Sequence, residues 1–321
     1  NYKTERFLSN KWNAVAKKIL IPKNSICFVC IGSTIGKVCL TKEDSFTNQQ
    51  INTIVVNPQK ADSKYIYYLL KKNQDDIIKQ YGGSGSGKAI INKSTFENIE
   101  FSIPNDINGQ KRIADILSAL DDKIELNNKI NQNLEQMAQA IFKEWFVKNP
   151  ESEIRNLKLG DLADISYGHG PSSSQLKKEG YPVYGANGII GYLDSYNFLD
   201  RQIIIGCRGV VGNVTLTLPQ CVITHNSLVI KPKSKRKIFF YYLLRNQNLD
   251  AVVGGSAQPQ ITINDLEKLE LITASEKSQD KFELIAENIE QKRLAIFYEN
   301  QKLAHLRDLL LPKLMNGEIK V

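Results

Sequence analysis

Residues 30–41 read CIGSTIGKVCLT, and residues 207–217 read CRGVVGNVTLT. Each is an apolar run, two glycine turns and a second apolar run, and the two differ by a one-residue indel. The neighbouring blocks return in the same order. FTNQQINTIVV (46–56) pairs with ITHNSLVIKP (223–232), and YIYYLLKKNQ (65–74) with FFYYLLRNQN (239–248). YGGSGSG (81–87) pairs with VGGSAQ (253–258), and STFENIEF (94–101) with NDLEKLEL (264–271). A duplication of this kind constrains the fold more than any composition does, because whatever one copy forms the chain must form twice.

Each copy ends in a long heptad pattern. The first seam runs Ile113, Leu117, Leu120, Ile124, Asn127, Asn131, Leu134, Ala138, Ile141 and Trp145. The second runs Phe282, Ala286, Ile289, Arg293, Ile296, Asn300, Leu303, Arg307, Leu310 and Leu314. Spacings of three and four put each set on one helix face. The helices are expected to start near Gly109 and Ser278, the first ending near Asn149-Pro150 and the second limited by Pro312 and Gly317. At 1.5 Å per residue, about 38 residues make a rod of roughly 55 Å. Polar residues interrupt both seams: Asn127, Asn131, Arg293 and Asn300 are read as register-setting positions, since a buried asparagine costs stability but fixes pairing. The alternative is that they are merely exposed. Two such helices in one chain pack most simply on each other, antiparallel, with a globular unit at each end and pseudo-two-fold symmetry.

The segments outside the helices, 1–104 and 150–275, are strand-rich, with β-branched runs between Gly, Pro and Asn turns. YIYYLL and FFYYLL read as short helices packed on a sheet. The fold class is therefore α+β: two strand-rich domains (1–104 and 150–275) joined by two long helices (105–149 and 276–321). No run of about 18 apolar residues is present, so no membrane span is expected. Five cysteines without framework spacing read as reduced thiols of a cytoplasmic protein.

The net charge of +8 is unevenly spread. Counting side chains gives +7 for 1–104, −1 for 105–149, +2 for 150–275 and zero for 276–321. Basic globular units on neutral helices suit a polyanion, because Lys and Arg neutralise phosphates and release counterions. A solvated surface with an incidental excess is the competing reading.

Two motifs promise chemistry and do not deliver it, and a third is absent. GGSGSGKA (82–89) has the spacing of a phosphate-cradling loop, but Ala89 stands where a magnesium-binding Ser or Thr belongs. Cys27 and Cys30 make a lone CxxC with no second pair, and the histidines (His169, His225, His305) are scattered. Methyl transfer to a base needs an Asn/Asp-Pro-Pro-aromatic motif, and the chain has no Pro-Pro pair. No catalytic residue, metal site or cofactor is expected; the residues argue for a binding protein.

The layout resembles the specificity subunit of type I restriction-modification systems over essentially the whole chain. The marks are GSTIGKV and GVVGNV after a strand, TNQQINTIV and THNSLVI, and the GGS loops. Further marks are QKRIADILSALDDKIELNNKINQNLEQMAQAIFKEWF, LRDLLLPKLMNGEI and YPVYGANGIIGY (181–192). The resemblance implies two target-recognition domains that each read half of a bipartite double-stranded DNA site, and conserved helices that space them. It also implies two docked methyltransferase subunits and motor-nuclease subunits joining through that complex. S-adenosylmethionine, magnesium and ATP would belong to those partners. Two rival readings are a stand-alone DNA binder without methyltransferase partners, and a coiled-coil scaffold whose domains bind protein or sugar.

Base edges are read by Arg, Lys, Asn, Gln, Ser and Thr on loops. The first copy offers Ser33, Thr34, Lys37, Asn48, Gln49, Ser84, Ser86 and Lys88. The second offers Ser172, Ser173, Ser174, Gln175, Lys177, Lys178, Tyr184, Asn187, Arg208, Asn213, His225, Asn226, Gln258 and Gln260. Arg208, in a glycine turn, is the best individual candidate, because Arg pairs bidentately with guanine. The competing reading is that Thr47-Asn48 and Thr224-His225 only cap turns. The first copy has no counterpart of YPVYGANGIIGY, so its recognition domain is expected to be incomplete at the N-terminus.

Overall fold

The computed structural model of the 321-residue chain describes residues 9–12, 16, 19–82, 89–148, 155–170, 175–255 and 258–321. The chain divides into two compact units: Asn1–Asn127 with Glu299–Val321, and Asn128–Tyr298. The boundary falls inside both long helices.

The first unit carries β1 (Ile26–Val29), β2 (Val38–Leu40) and β3 (Ile51–Ile54), an antiparallel sheet in the order β2-β1-β3. Strand alternation sends Ile26 and Phe28 to one face, where they meet Leu70, Ile77 and Ile91. Leu70 and Ile77 come from α1 (Ser63–Tyr81), whose first turn is capped by the Asp62 side chain accepting the Tyr65 N–H. This helix is longer than the YIYYLL block suggests. KKNQDDIIKQ continues its helical period, and Ile77 extends the buried stripe. α2 (Lys93–Glu97) follows, capped by Asn92, and then α3 (Ile107–Lys143), which closes in a π-helical turn over Glu144–Lys148.

The second unit opens with β4 (Arg155–Lys158), α4 (Leu159–Leu162) and β5 (Ala163–Tyr167). The strands β6 (Tyr181–Gly185), β7 (Gly188–Leu193), β8 (Ile203–Gly206), β9 (Val214–Leu216), β10 (Val222–Ile223) and β11 (Ser227–Pro232) follow. α5 (Lys237–Arg245), α6 (Ile263–Glu267), β12 (Glu270–Thr273) and α7 (Glu276–Met315) complete it. A four-stranded sheet β5-β11-β8-β9 is joined by a three-stranded sheet β10-β6-β7 and by the pair β12-β4. The apolar IIIG run of β8 is buried on both faces. Ile203 and Ile205 face α5, and Ile204 faces Tyr184, Cys221, Ile223 and Val229.

The repeat read in the sequence is a repeat of pairings. β1 pairs with β2 through Ile26↔Leu40 and with β3 through Val29↔Ile51. β8 pairs with β9 through Ile203↔Leu216 and with β11 through Gly206↔Ser227.

Every residue of the two heptad seams is at least half-buried. The helices run antiparallel within each unit. In the first, Asn127 meets Asn300 and Asp121 meets Arg307; in the second, Glu135 meets Arg293 and Phe142 meets Phe282. Asn127 is 1% exposed and donates to the Asn300 and Glu299 side chains at 2.9 and 3.0 Å. Asn131 reaches the Arg293 carbonyl at 3.3 Å. These polar contacts reward one alignment of the helices over its neighbours. Pro312 does not end α7 as its position suggests. It lies in the last turn, where a missing N–H forfeits a single bond, and the helix closes at Gly317, whose φ is +75°.

One further contact is duplicated. In the first unit the Tyr68 hydroxyl of α1 donates to Asp121 of α3 at 2.8 Å, and Arg307 closes on the same carboxylate. In the second the Tyr242 hydroxyl of α5 donates to Glu290 of α7 at 3.2 Å, joined by Arg201 at 3.1 Å and by Arg293. Burial, then the adjacent carboxylate, pushes both phenols up, so each stays a donor. The YIYYLL and FFYYLL blocks thus dock the domain on the long helix through one tyrosine hydrogen bond each.

Candidate nucleic-acid interface

In each unit three loops meet where the central strand ends. After β1, the turn 31–36 folds back through Gly36 N–H to the Val29 carbonyl. The Cys30 N–H takes the Gln50 carbonyl, the Cys30 thiol points at the Gln49 carbonyl, and the Cys30 carbonyl takes the Ile91 N–H. After β8, Gly212 N–H returns to the Gly206 carbonyl. Cys207 N–H takes the Asn226 carbonyl, the Cys207 thiol points at the His225 carbonyl, and the Cys207 carbonyl takes the Ile261 N–H. One hydrogen-bond scheme therefore holds two sets of loops, with Cys30 and Cys207 as equivalent hubs. Their small thiols fit where the loops cross the strand end.

The glycines of the turns are conformational. Gly32 and Gly209 have φ of +95° and +80°, and a Cβ on either would meet nothing, so the left-handed backbone rather than space requires glycine. Gly206 is steric: a Cβ there would lie 2.2 Å from the Val210 carbonyl oxygen and 2.7 Å from that of Ala186. This close approach seats the β6–β7 turn, with Asn187 exposed on it, beside the Arg208 turn.

The side chains on this common scaffold differ. Arg208 stands where the first unit has Ile31, His225 where it has Gln49, and Gln260 where it has Ile90. Ser33, Thr34, Lys37, Asn48 and Gln49 are exposed together at the end of β1, and Arg208, His225, Gln258 and Gln260 at the end of β8. The Arg208 backbone bridges Gln260, and its guanidinium lies 5.9 Å from the centre of the Tyr167 ring. Tyr167, at the end of β5, was not among the sequence candidates. Nothing local marks it, because only the Leu228↔Tyr167 pairing brings it there.

Other candidates sit elsewhere. Tyr184 is 4% exposed in β6, and its hydroxyl accepts the Leu218 N–H at 2.9 Å. It is a core residue rather than an exposed loop residue. Burial pushes this phenol up to about 12. Asn213 is half-buried and its amide donates to the Ala186 carbonyl and the Thr215 hydroxyl at 3.2 Å each, so it braces the turn. Asn226 is also half-buried, its backbone serving Cys207. Asn48 is exposed, but its side chain accepts the Gln50 N–H at 3.0 Å in an Asx turn. Gln175, Lys177 and Lys178 are exposed away from the β6–β7 turn: Lys177 bridges Tyr192 at the far end of β7 and pairs with Asp194. Ser84, Ser86, Lys88, Ser172, Ser173 and Ser174 lie outside the described residues. Among the described residues no helix is long and apolar enough to cross a membrane.

Comparison with known proteins gives the same picture. The family model of the type I restriction modification DNA specificity domain matches residues 2–136 and again 151–302. The chain is 27% identical to the type I restriction enzyme HindI specificity subunit of Haemophilus influenzae, over 80% of this chain and 77% of that one. It is 25% identical to the MjaIX specificity subunit of Methanocaldococcus jannaschii, over 99% of this chain and 82% of the relative. Its fold matches the solved S subunit of the type I restriction-modification system of M. genitalium with a TM-score of 0.57 and 24% identity, covering 93% of this chain and 84% of that one. Both copies of the repeat are matched, and the chain belongs to the type I restriction modification DNA specificity family.

Proposed function

We propose that this chain reads a bipartite double-stranded DNA site, one half with each set of loops, as the non-catalytic specificity subunit of a type I complex. The observation that carries this reading is the shared scaffold with unshared side chains. Two identical hydrogen-bond schemes hold Ile31, Gln49 and Ile90 in one unit and Arg208, His225 and Gln260 in the other. A protein that needed one binding chemistry twice would repeat the side chains; one that reads two different half-sites repeats only the frame. Residues 1–104 and 150–275 are the recognition domains in this reading, and 105–149 and 276–321 the helices that space them. Two methyltransferase subunits and, through them, motor-nuclease subunits are the partners. They bring S-adenosylmethionine, magnesium and ATP.

The test is methylome sequencing of cells with and without this gene in the presence of the partner methyltransferase. A methylated motif in two parts, separated by a fixed gap, should disappear without the gene; an unchanged methylome refutes the reading. Within the second unit, Arg208→Ala should relax discrimination at one base pair of one half-site by about 1–3 kcal/mol. Binding titrations on a set of single-base-pair variants measure this. Equal weakening on every variant would make Arg208 a phosphate contact instead.

A further inference from the structure

Cys27 of β1 and Cys39 of β2 are directly opposite each other. The Val29 N–H donates to the Lys37 carbonyl on one side, and the Thr41 N–H to the Ser25 carbonyl on the other. Alternation along the ladder makes Cys27 and Cys39 a hydrogen-bonded pair, with Cα atoms about 5.5 Å apart. That spacing lies within the range a disulfide spans. Ile26 and Phe28 point into the core, so Cys27 projects from the opposite face, in a row formed by Cys39, Cys27 and Thr53. Of the five cysteines, Cys39 alone is exposed. The equivalent pair in the second unit is Ile204 and Thr215, so the dithiol is not a requirement of the scaffold.

We propose that Cys27 and Cys39 form a reversible redox pair, which a low-molecular-weight disulfide closes into a cross-strand disulfide at the base of the glycine turn. The Cys39 thiolate attacks one sulfur of the reagent RS–SR; the reagent bond breaks and RS⁻ leaves. Cys27 then attacks the Cys39 sulfur, its proton passing to a departing thiolate, and the second RS⁻ leaves. Two protein thiols are oxidised and one reagent disulfide is reduced to two thiols. The division of labour follows from the surroundings. The hydrogen bond from Cys27 lowers the Cys39 thiol to about 7, which makes it the attacking group near neutral pH. Cys27, pushed up by that contact and by burial, keeps its proton until the mixed disulfide forms beside it. The closed bond ties together the two strands that flank the turn carrying Ser33, Thr34 and Lys37.

The full-length chain is incubated natively with oxidised glutathione, alkylated, digested and mapped by mass spectrometry. The expected product is a linked peptide pair containing Cys27 and Cys39, lighter by two hydrogens and restored by dithiothreitol. Cys30, Cys207 and Cys221 should be alkylated only after unfolding. Cys27→Ser should trap glutathione on Cys39, and Cys39→Ser should leave no adduct at Cys27. A wild-type chain that keeps glutathione on Cys39 without closing the link, or closes it only in urea, overturns the proposal. So does a native Cys39 that does not react.

Discussion

Glu290→Ala should cost the second unit about 3–5 kcal/mol, the penalty for removing the buried partner of an ion-pair cluster. Glu290 is 2% exposed and serves three groups from three parts of the unit. Arg201 comes from the start of the β8 segment, Tyr242 from α5, and Arg293 from the next turn of α7. Alanine leaves the Tyr242 hydroxyl without an acceptor and takes a carboxylate from both arginines, although Arg201 keeps the Thr217 carbonyl and Arg293 keeps Glu135. Arg201 and Arg293 keep some water contact, with side chains 21% and 27% exposed, but Tyr242 is fully buried and its hydroxyl loses its acceptor. An orphaned buried donor alone costs about 1–3 kcal/mol. Glu290→Gln keeps an acceptor for Tyr242 and should cost less than alanine. Trp145 packs against Phe146 and Phe282 in this unit, so its fluorescence reports urea unfolding there. With a denaturant slope of about 1–3 kcal/mol per molar, the midpoint should fall by about 1 M or more. A shift worth less than about 1 kcal/mol would show that the arginines recover their partner in solvent.

The parts of this molecule that follow a short period were legible in its sequence. The heptad residues from Ile113 to Trp145 and from Phe282 to Leu314 sit on the seam because a spacing of 3.5 leaves them no other face. The glycine turns were legible because Gly32 and Gly209 adopt a backbone few other residues accept. The readings that failed involve partners far apart in the chain. Tyr184, in YPVYGANG, has the look of a loop residue; it is buried because β6 pairs with β10, almost forty positions later, and the Leu218 N–H claims its hydroxyl. The same distance hid the Tyr68–Asp121 and Tyr242–Glu290 contacts, although both tyrosines stand in the most obvious repeated block. Charge counting assigns the basic excess to segments 1–104 and 150–275 but cannot tell Arg208, exposed at the loop cluster, from Arg201, committed to Glu290.

Phe142→Ala should destabilise the same unit by about 3–5 kcal/mol, through lost burial and the cavity left behind. Phe142 is 1% exposed and joins three helices: Phe146 on its own chain segment, Phe239 and Tyr242 of α5, and Phe282 of α7 lie with ring centres 5.0, 5.8, 6.2 and 5.3 Å away. The seam beside it is already tight, because Ala138 and Ala286 are fully buried small residues, so the helices have little room to close on the void. Phe142→Leu, which keeps most of the volume, should recover more than half of the loss. The two substitutions are not independent, since Tyr242 stacks on Phe142 and donates to Glu290. A tyrosine released by the cavity already holds Glu290 less well. The double variant Phe142→Ala, Glu290→Ala should therefore cost less than the sum of the singles, by about 0.5–3 kcal/mol in a double-mutant cycle. Strict additivity would mean that the ring and the hydroxyl of Tyr242 act separately, and that the domain is fastened to the helices at two places rather than one.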